Sequence, residues 1–137
     1  MKFLKWLGII ALVLIIVYFL GPKPASPKYN KDLPSLPSGL VALEKYINEN
    51  EVKHKIKPDN EARIVWLNDS LKNETEYAVV YLHGFSASQE EGDPLHYQFA
   101  QKLGCTLFLS RVDAHGIDTT EPLLTLTADG VWNSAKA

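Results

Sequence analysis

Tyr77-Ala78-Val79-Val80-Tyr81-Leu82-His83-Gly84-Phe85-Ser86-Ala87-Ser88 is the stretch whose reading decides the fold. A short apolar run, rich in β-branched and aromatic residues, stops at His-Gly and opens into small, mostly polar residues. A run of this kind predicts a strand buried on both faces, as in a parallel sheet covered by helices. His83-Gly84-Phe85 then puts flexible backbone and free N–H groups at the carboxyl end of the sheet. Ligands of open α/β sheets bind there.

Downstream, the pattern predicts a βαβ unit. Asp93-Pro94 is a helix start, Leu95, Phe99, Ala100 and Leu103 form an apolar stripe, and Gly104 is a stop. Cys105-Thr106-Leu107-Phe108-Leu109 reads as the next buried strand, ending in Ser110-Arg111-Val112-Asp113-Ala114-His115-Gly116. A loop with Thr119, Thr120 and Pro122 leads to a helix beginning near Thr127. Upstream, Leu40, Leu43, Tyr46 and Ile47 have the spacing of a short amphipathic helix. Val52–Ile56 alternates apolar and polar, Ala62–Leu67 is a second strand candidate, and Pro58-Asp59-Asn60 between them is turn chemistry. The two predict an antiparallel hairpin. Asn68 to Glu76 reads as a polar loop carrying the sequons Asn68-Asp69-Ser70 and Asn73-Glu74-Thr75, which argue for exposure.

At the amino end, Lys2 and Lys5 precede an uncharged run from Trp6 to Gly21, broken by Pro22 and Pro24. Residues 1–21 therefore read as an uncleaved membrane anchor, with a cleaved signal segment as the alternative. Phe19 before Gly21 and Lys23 before Ala25 make poor cleavage sites, and no cysteine follows for lipoprotein processing. Lys2, Lys5 and the terminal amine favour a cytoplasmic amino end and an outward-facing domain, against the counterweight of Lys23, Lys28 and Lys31. Residues 22–39, with Pro22, Pro24, Pro27, Pro34 and Pro37, read as an extended spacer. The domain is expected over residues 40–137.

Composition narrows the chemistry. The chain has 137 residues, 46% hydrophobic and 22% charged, with a formal charge of −2 that gives no reason to expect nucleic acid. Cys105 is the single cysteine, so an intrachain disulfide is excluded, and its place at a strand start makes it a small core residue. Trp66, Phe99 and Phe108 read as core aromatics. Asp93, His96, Asp113, His115 and Asp118 carry metal-binding chemistry but lack the paired histidines that zinc hydrolase motifs place on one element, so no metal is assigned. No phosphate-binding Gly-rich loop occurs, and no cofactor is expected.

From roughly Val52 onward, the order of hairpin, buried strand, His83-Gly84 loop, helix, buried strand, His115-Gly116 loop and helix resembles the amino-terminal half of an α/β-hydrolase. The nearest likeness is to the carboxylesterase and monoacylglycerol-lipase branch. The resemblance implies that Phe85, after the first His-Gly, donates its backbone N–H to the oxyanion of a tetrahedral intermediate. His83 and Gly84 would then shape that loop, with Gly84 removing a Cβ from the way of the inward amides. His115-Gly116 would be structural, like the loop after the family's fourth strand. The family's nucleophile motif, Gly-x-Ser-x-Gly, is absent: Ser86, Ser88, Ser110 and Ser134 lack that context. The expectation is an amino-terminal part of a membrane-anchored serine hydrolase acting on an ester or acyl substrate, inactive without its nucleophile. A non-catalytic membrane-anchored binding or scaffolding protein on the same half-fold is the alternative.

Overall fold

The computed structural model describes residues 2–23 and 25–136. Three residues assigned above lie outside it: Met1, Pro24 of the spacer and Ala137 at the end of the domain.

Helix α1 covers Lys2–Leu20. At about 1.5 Å per residue it is roughly 28 Å long, close to the thickness of a bilayer's hydrocarbon core. Its Phe3–Leu20 window has a mean hydropathy of 2.6 and buries nothing against the rest of the chain. The helix is long and apolar enough to cross a membrane or to act as a signal segment.

After the stretch to Gly39, α2 (Leu40–Glu51) begins, followed by β1 (Arg63–Val65), β2 (Ala78–Tyr81), α3 (Leu95–Leu103), β3 (Thr106–Leu109) and α4 (Ala128–Lys136). The strands make one mixed sheet in the order β1-β3-β2. β2 and β3 run parallel with Val79 opposite Leu107, and β1 lies antiparallel on the other side of β3 with Ile64 opposite Phe108. The β2–α3–β3 crossover matches the expected βαβ unit. Gly104 ends α3 in the left-handed conformation (φ 66°), which only glycine adopts without cost, and its N–H returns to the Ala100 and Gln101 carbonyls.

The expected hairpin does not form. α2 runs on to Glu51, Val52 caps it, and Ile56 makes only an isolated antiparallel bridge to Ile117. Two alternating apolar residues are too few to specify a strand, while Glu51 is held at the helix end by Arg111 and by the Ala62 N–H. β1 finds its partner 44 positions downstream instead (Ile64 to Phe108).

Two burial expectations are also corrected. β2 is an edge strand among the described residues, with Ala78 and Val80 exposed, so it is not covered on both faces. On α3 the stripe Leu95, Phe99 and Leu103 points to solvent, and Phe99 is not a core aromatic. The buried side is His96 and Ala100. The Tyr81 ring stands edge-on against His96 at 4.8 Å. His96 is tolerated there because Nε2 donates to the Gln89 carbonyl (3.0 Å) and Nδ1 accepts the Tyr97 N–H (2.9 Å). The core is Ala100, Leu107 and Leu109, flanked by Val65, Val79, Tyr81 and Tyr97. Cys105 is buried beside it, as expected.

Residues 22–23 and 25–36 form neither helix nor strand, but Lys28–Asp32 does not run free. Asp129 Oδ1 accepts the N–H groups of Lys28 (2.8 Å) and Tyr29 (3.2 Å). Trp132 Nε1 donates to the Asn30 carbonyl (2.6 Å), and its ring packs edge-on against Tyr29 at 5.6 Å. Lys136 Nζ donates to the carbonyls of Asn30 (2.7 Å) and Asp32 (2.8 Å). Positions 129, 132 and 136 share one helical face. The sequence predicted a spacer; part of it is a strap on α4.

Candidate functional site

Parallel pairing of β2 with β3 brings residues 83–88 and 110–116 together at the carboxyl ends of both strands. The two loops grip each other through their histidines. Val112 N–H donates to His83 Nε2 (3.2 Å), and Ser86 N–H donates to His115 Nε2 (3.0 Å). An accepting Nε2 carries no proton, so each ring is protonated at Nδ1, which faces the Gly84 carbonyl in His83 (3.0 Å) and the Asp113 carbonyl in His115 (2.8 Å). The rings sit 5.0 Å apart, both on buried residues. Burial holds the His83 pKa below the usual imidazole value, reinforced by His115 and Arg111 and opposed by the Gly84 carbonyl and Glu91. The neutral form demanded by the geometry is therefore the favoured one.

Other groups fix the loops further. Ser110 donates both its N–H (3.1 Å) and its hydroxyl (2.8 Å) to the Tyr81 carbonyl. Arg111 makes a two-point pair with Glu51, Nε to Oε2 at 2.8 Å and the second nitrogen to Oε1 at 3.0 Å, and also donates to the His115 carbonyl (3.4 Å). Ser134 Oγ on α4 accepts the Asp113 N–H at 2.9 Å. Ser86 and Ala114 hold φ near 61°, one in each loop, a conformation non-glycine residues adopt only when their surroundings impose it.

The three candidate residues thus lie together. His83 is an anchor of its own loop. Gly84 does not need positive φ; its N–H donates to Glu91 Oε2 (2.8 Å), and a Cβ there would come within 3.2 Å of that carboxylate. A side chain at this position would press on the Glu91 carboxylate, which would have to give by a few tenths of an ångström. The same carboxylate, after burial itself, keeps the Tyr81 hydroxyl above the usual phenol range. Phe85 N–H makes no hydrogen bond among the described residues, and its side chain is 76% exposed.

Phe85, Ser86, Ala87, Ala114, His115 and Gly116 line an open cleft of about 550 Å³ together with residues 121–124. His115, expected to be merely structural, is a member of the clasp and of this lining. Glu51 and Glu91 escaped the sequence reading altogether, since neither belongs to a motif and Glu51 lies 60 positions from its partner. Among the described residues no three His, Cys, Asp or Glu side chains converge as a metal-holding group.

A second cavity of about 300 Å³ lies between α2 and the sheet, walled by Leu40, Leu43, Tyr46, Ile64, Trp66 and Phe108 among others. Its lining is mostly apolar, with Glu74, Thr75 and Thr106 among its polar members. No protein-family model, curated protein or solved structure matches this chain.

Proposed function

We propose that this chain is the amino-terminal part of a membrane-anchored α/β-hydrolase that cleaves carboxylic esters by acyl transfer to water, with the Phe85 N–H as one oxyanion donor. One observation carries the reading: an unbonded N–H on a loop pinned from three sides by His83, His115 and Glu91, at the carboxyl end of a parallel strand and beside a cleft. A donor fixed before charge develops stabilises an oxyanion without reorganisation. Gly84 N–H is already taken by Glu91, so the second donor arrives with the nucleophile. The sequence contains no Gly-x-Ser-x-Gly, so the serine and its acid and histidine partners are residues outside it. The substrate is a small ester or acyl compound, and nucleic acid is no partner. In this reading α1 is an uncleaved single-pass anchor, Lys2 and Lys5 keep its amino end in the cytoplasm, and the domain is extracytoplasmic.

The test is hydrolysis of a p-nitrophenyl ester by membranes carrying the protein of the complete reading frame. Phe85→Ala keeps the donor and lowers turnover modestly. Phe85→Pro deletes it and lowers kcat roughly 10²–10³-fold, with circular dichroism unchanged. A folded Phe85→Pro protein with near wild-type kcat removes Phe85 from the mechanism. Lack of ester hydrolysis by the complete protein favours the second reading, a non-catalytic membrane-anchored binding or scaffolding protein; the missing nucleophile motif is the observation on its side.

A further inference from the structure

The strap alters where the cleft sits. Between Gly21, just past α1, and Lys28, where α4 takes hold, the chain has seven steps and reaches at most about 25 Å. Running free to Leu40, the same segment would reach about 65 Å. Strapping holds the α4 face of the domain close to wherever α1 ends, and for a membrane-inserted helix that is the bilayer surface.

The cleft is tied to α4 by a short stretch of chain and by a hydrogen bond. Leu124, in its wall, precedes the strap-binding Asp129 by five residues, a separation of at most about 18 Å. α4 is joined directly to the second His-Gly loop through Ser134 and Asp113. Two large apolar side chains at the cleft stand far out into solvent, Phe85 at 76% and Leu124 at 80% exposed. Exposed apolar groups beside a cleft and close to a membrane have an evident partner. Lys57, also at the cleft, offers a cation to lipid phosphate, and Glu121 beside it tempers that attraction. Because the anchor keeps the surface at high local concentration, the contact itself need only be weak.

We propose that the mouth of the cleft between the two His-Gly loops is a membrane-docking surface, held against the bilayer by the Lys28–Asp32 strap, with Phe85 and Leu124 resting among the lipid headgroups. The molecule entering such a cleft is an amphiphile already in the bilayer. Its being an acyl ester rests on the hydrolase reading; the docking does not.

The full chain, reconstituted in phosphatidylcholine vesicles, tests this with a nitroxide at Leu124→Cys and a control at Leu71→Cys. Cys105 is buried and leaves the labels to the new thiols. Leu71 is 70% exposed but sits in the loop before β2, at the opposite end of the sheet from the cleft. The Leu124 label should collide more often with oxygen and several-fold less with a water-soluble nickel complex than the Leu71 label does. Replacing Asp129 and Trp132 together by alanine should return the Leu124 label toward aqueous values while circular dichroism stays unchanged. Equal accessibility of both labels, whether aqueous or immersed, overturns the docking surface, and that comparison needs no strap variant. Immersion of Leu124 that survives loss of the strap overturns the strap's role. Neither readout depends on turnover, so failure of ester hydrolysis leaves this result standing.

Discussion

The two faces of the sheet are held by different physics. On the α3 side Leu107 and Leu109 are almost completely buried and close against Ala100, Tyr97 and Tyr81. On the α2 side Phe108, Ile64 and Trp66 look into the 300 Å³ gap, and the helix is held at its edges by polar pins. Glu44 accepts from Trp66 Nε1 (2.9 Å) and Lys72 Nζ (2.6 Å), and Glu51 accepts from Arg111 and Ala62. One helix is fixed by contact area, the other by a few directed charges around an unfilled space. Area tolerates conservative changes. Directed charges do not, because each lost partner strands the other in a poorly solvated place.

The pins are the sharpest place to break this contrast. Arg111 and Glu51 have side chains only 9% and 12% exposed. Glu51→Gln should cost about 3–5 kcal/mol, the usual effect of leaving one buried charge uncompensated, read as a fall in the urea midpoint with the slope preserved. A loss below about 1 kcal/mol would show that α2 docks by its apolar face after all.

Next comes the packed face. Leu109→Ala should cost about 3 kcal/mol, since transfer and cavity penalties add at a fully buried position. Phe108→Ala removes more atoms yet should cost less, because its ring already borders the 300 Å³ cavity. Equal costs, or the reverse order, would mean that the two faces are packed alike.

The smallest effect concerns the loop clasp, where burial and hydrogen bonding meet. His83 is harder to protonate folded than unfolded, so the stability it lends is present above the unfolded value of about 6.5 and is lost as pH falls below it. Melting temperature should drop as pH is lowered from 7 toward 5. His83→Asn should be less stable than wild type at pH 7, with the gap narrowing as the wild-type ring protonates. A gap constant across that range would remove His83 from the clasp.

Much of the fold was legible in local pattern. The apolar run ending in His83-Gly84, the stop at Gly104, the strand from Thr106 and the helix starting beside Thr127 all depend on neighbours in sequence, and they stand where periodicity and turn chemistry put them. Failures arose where partners are distant. Val52–Ile56 has the alternation of a strand, but an edge to pair with is a property of the assembled sheet, and β3 had already taken β1. The Leu95, Phe99, Leu103 stripe is as good a helical face as His96 and Ala100; what chose between them was the Tyr81 ring and the Gln89 carbonyl, which periodicity does not see. For the same reason the two His-Gly loops were recognisable one at a time while their mutual grip was not. The strap is the extreme case: a proline-rich spacer by composition, captured by Asp129, Trp132 and Lys136 from a helix about 100 positions away.

The Arg111–Glu51 pair also bears on the order in which the molecule assembles. Its ends are 60 residues apart, whereas β2, α3 and β3 close a unit spanning Ala78 to Leu109. Closing the longer loop costs more chain entropy and is rewarded only once β3 has placed Arg111. The pair should therefore form after the rate-limiting step. Glu51→Gln would then act almost wholly on unfolding: refolding keeps its speed, and the native state, once reached, is lost sooner.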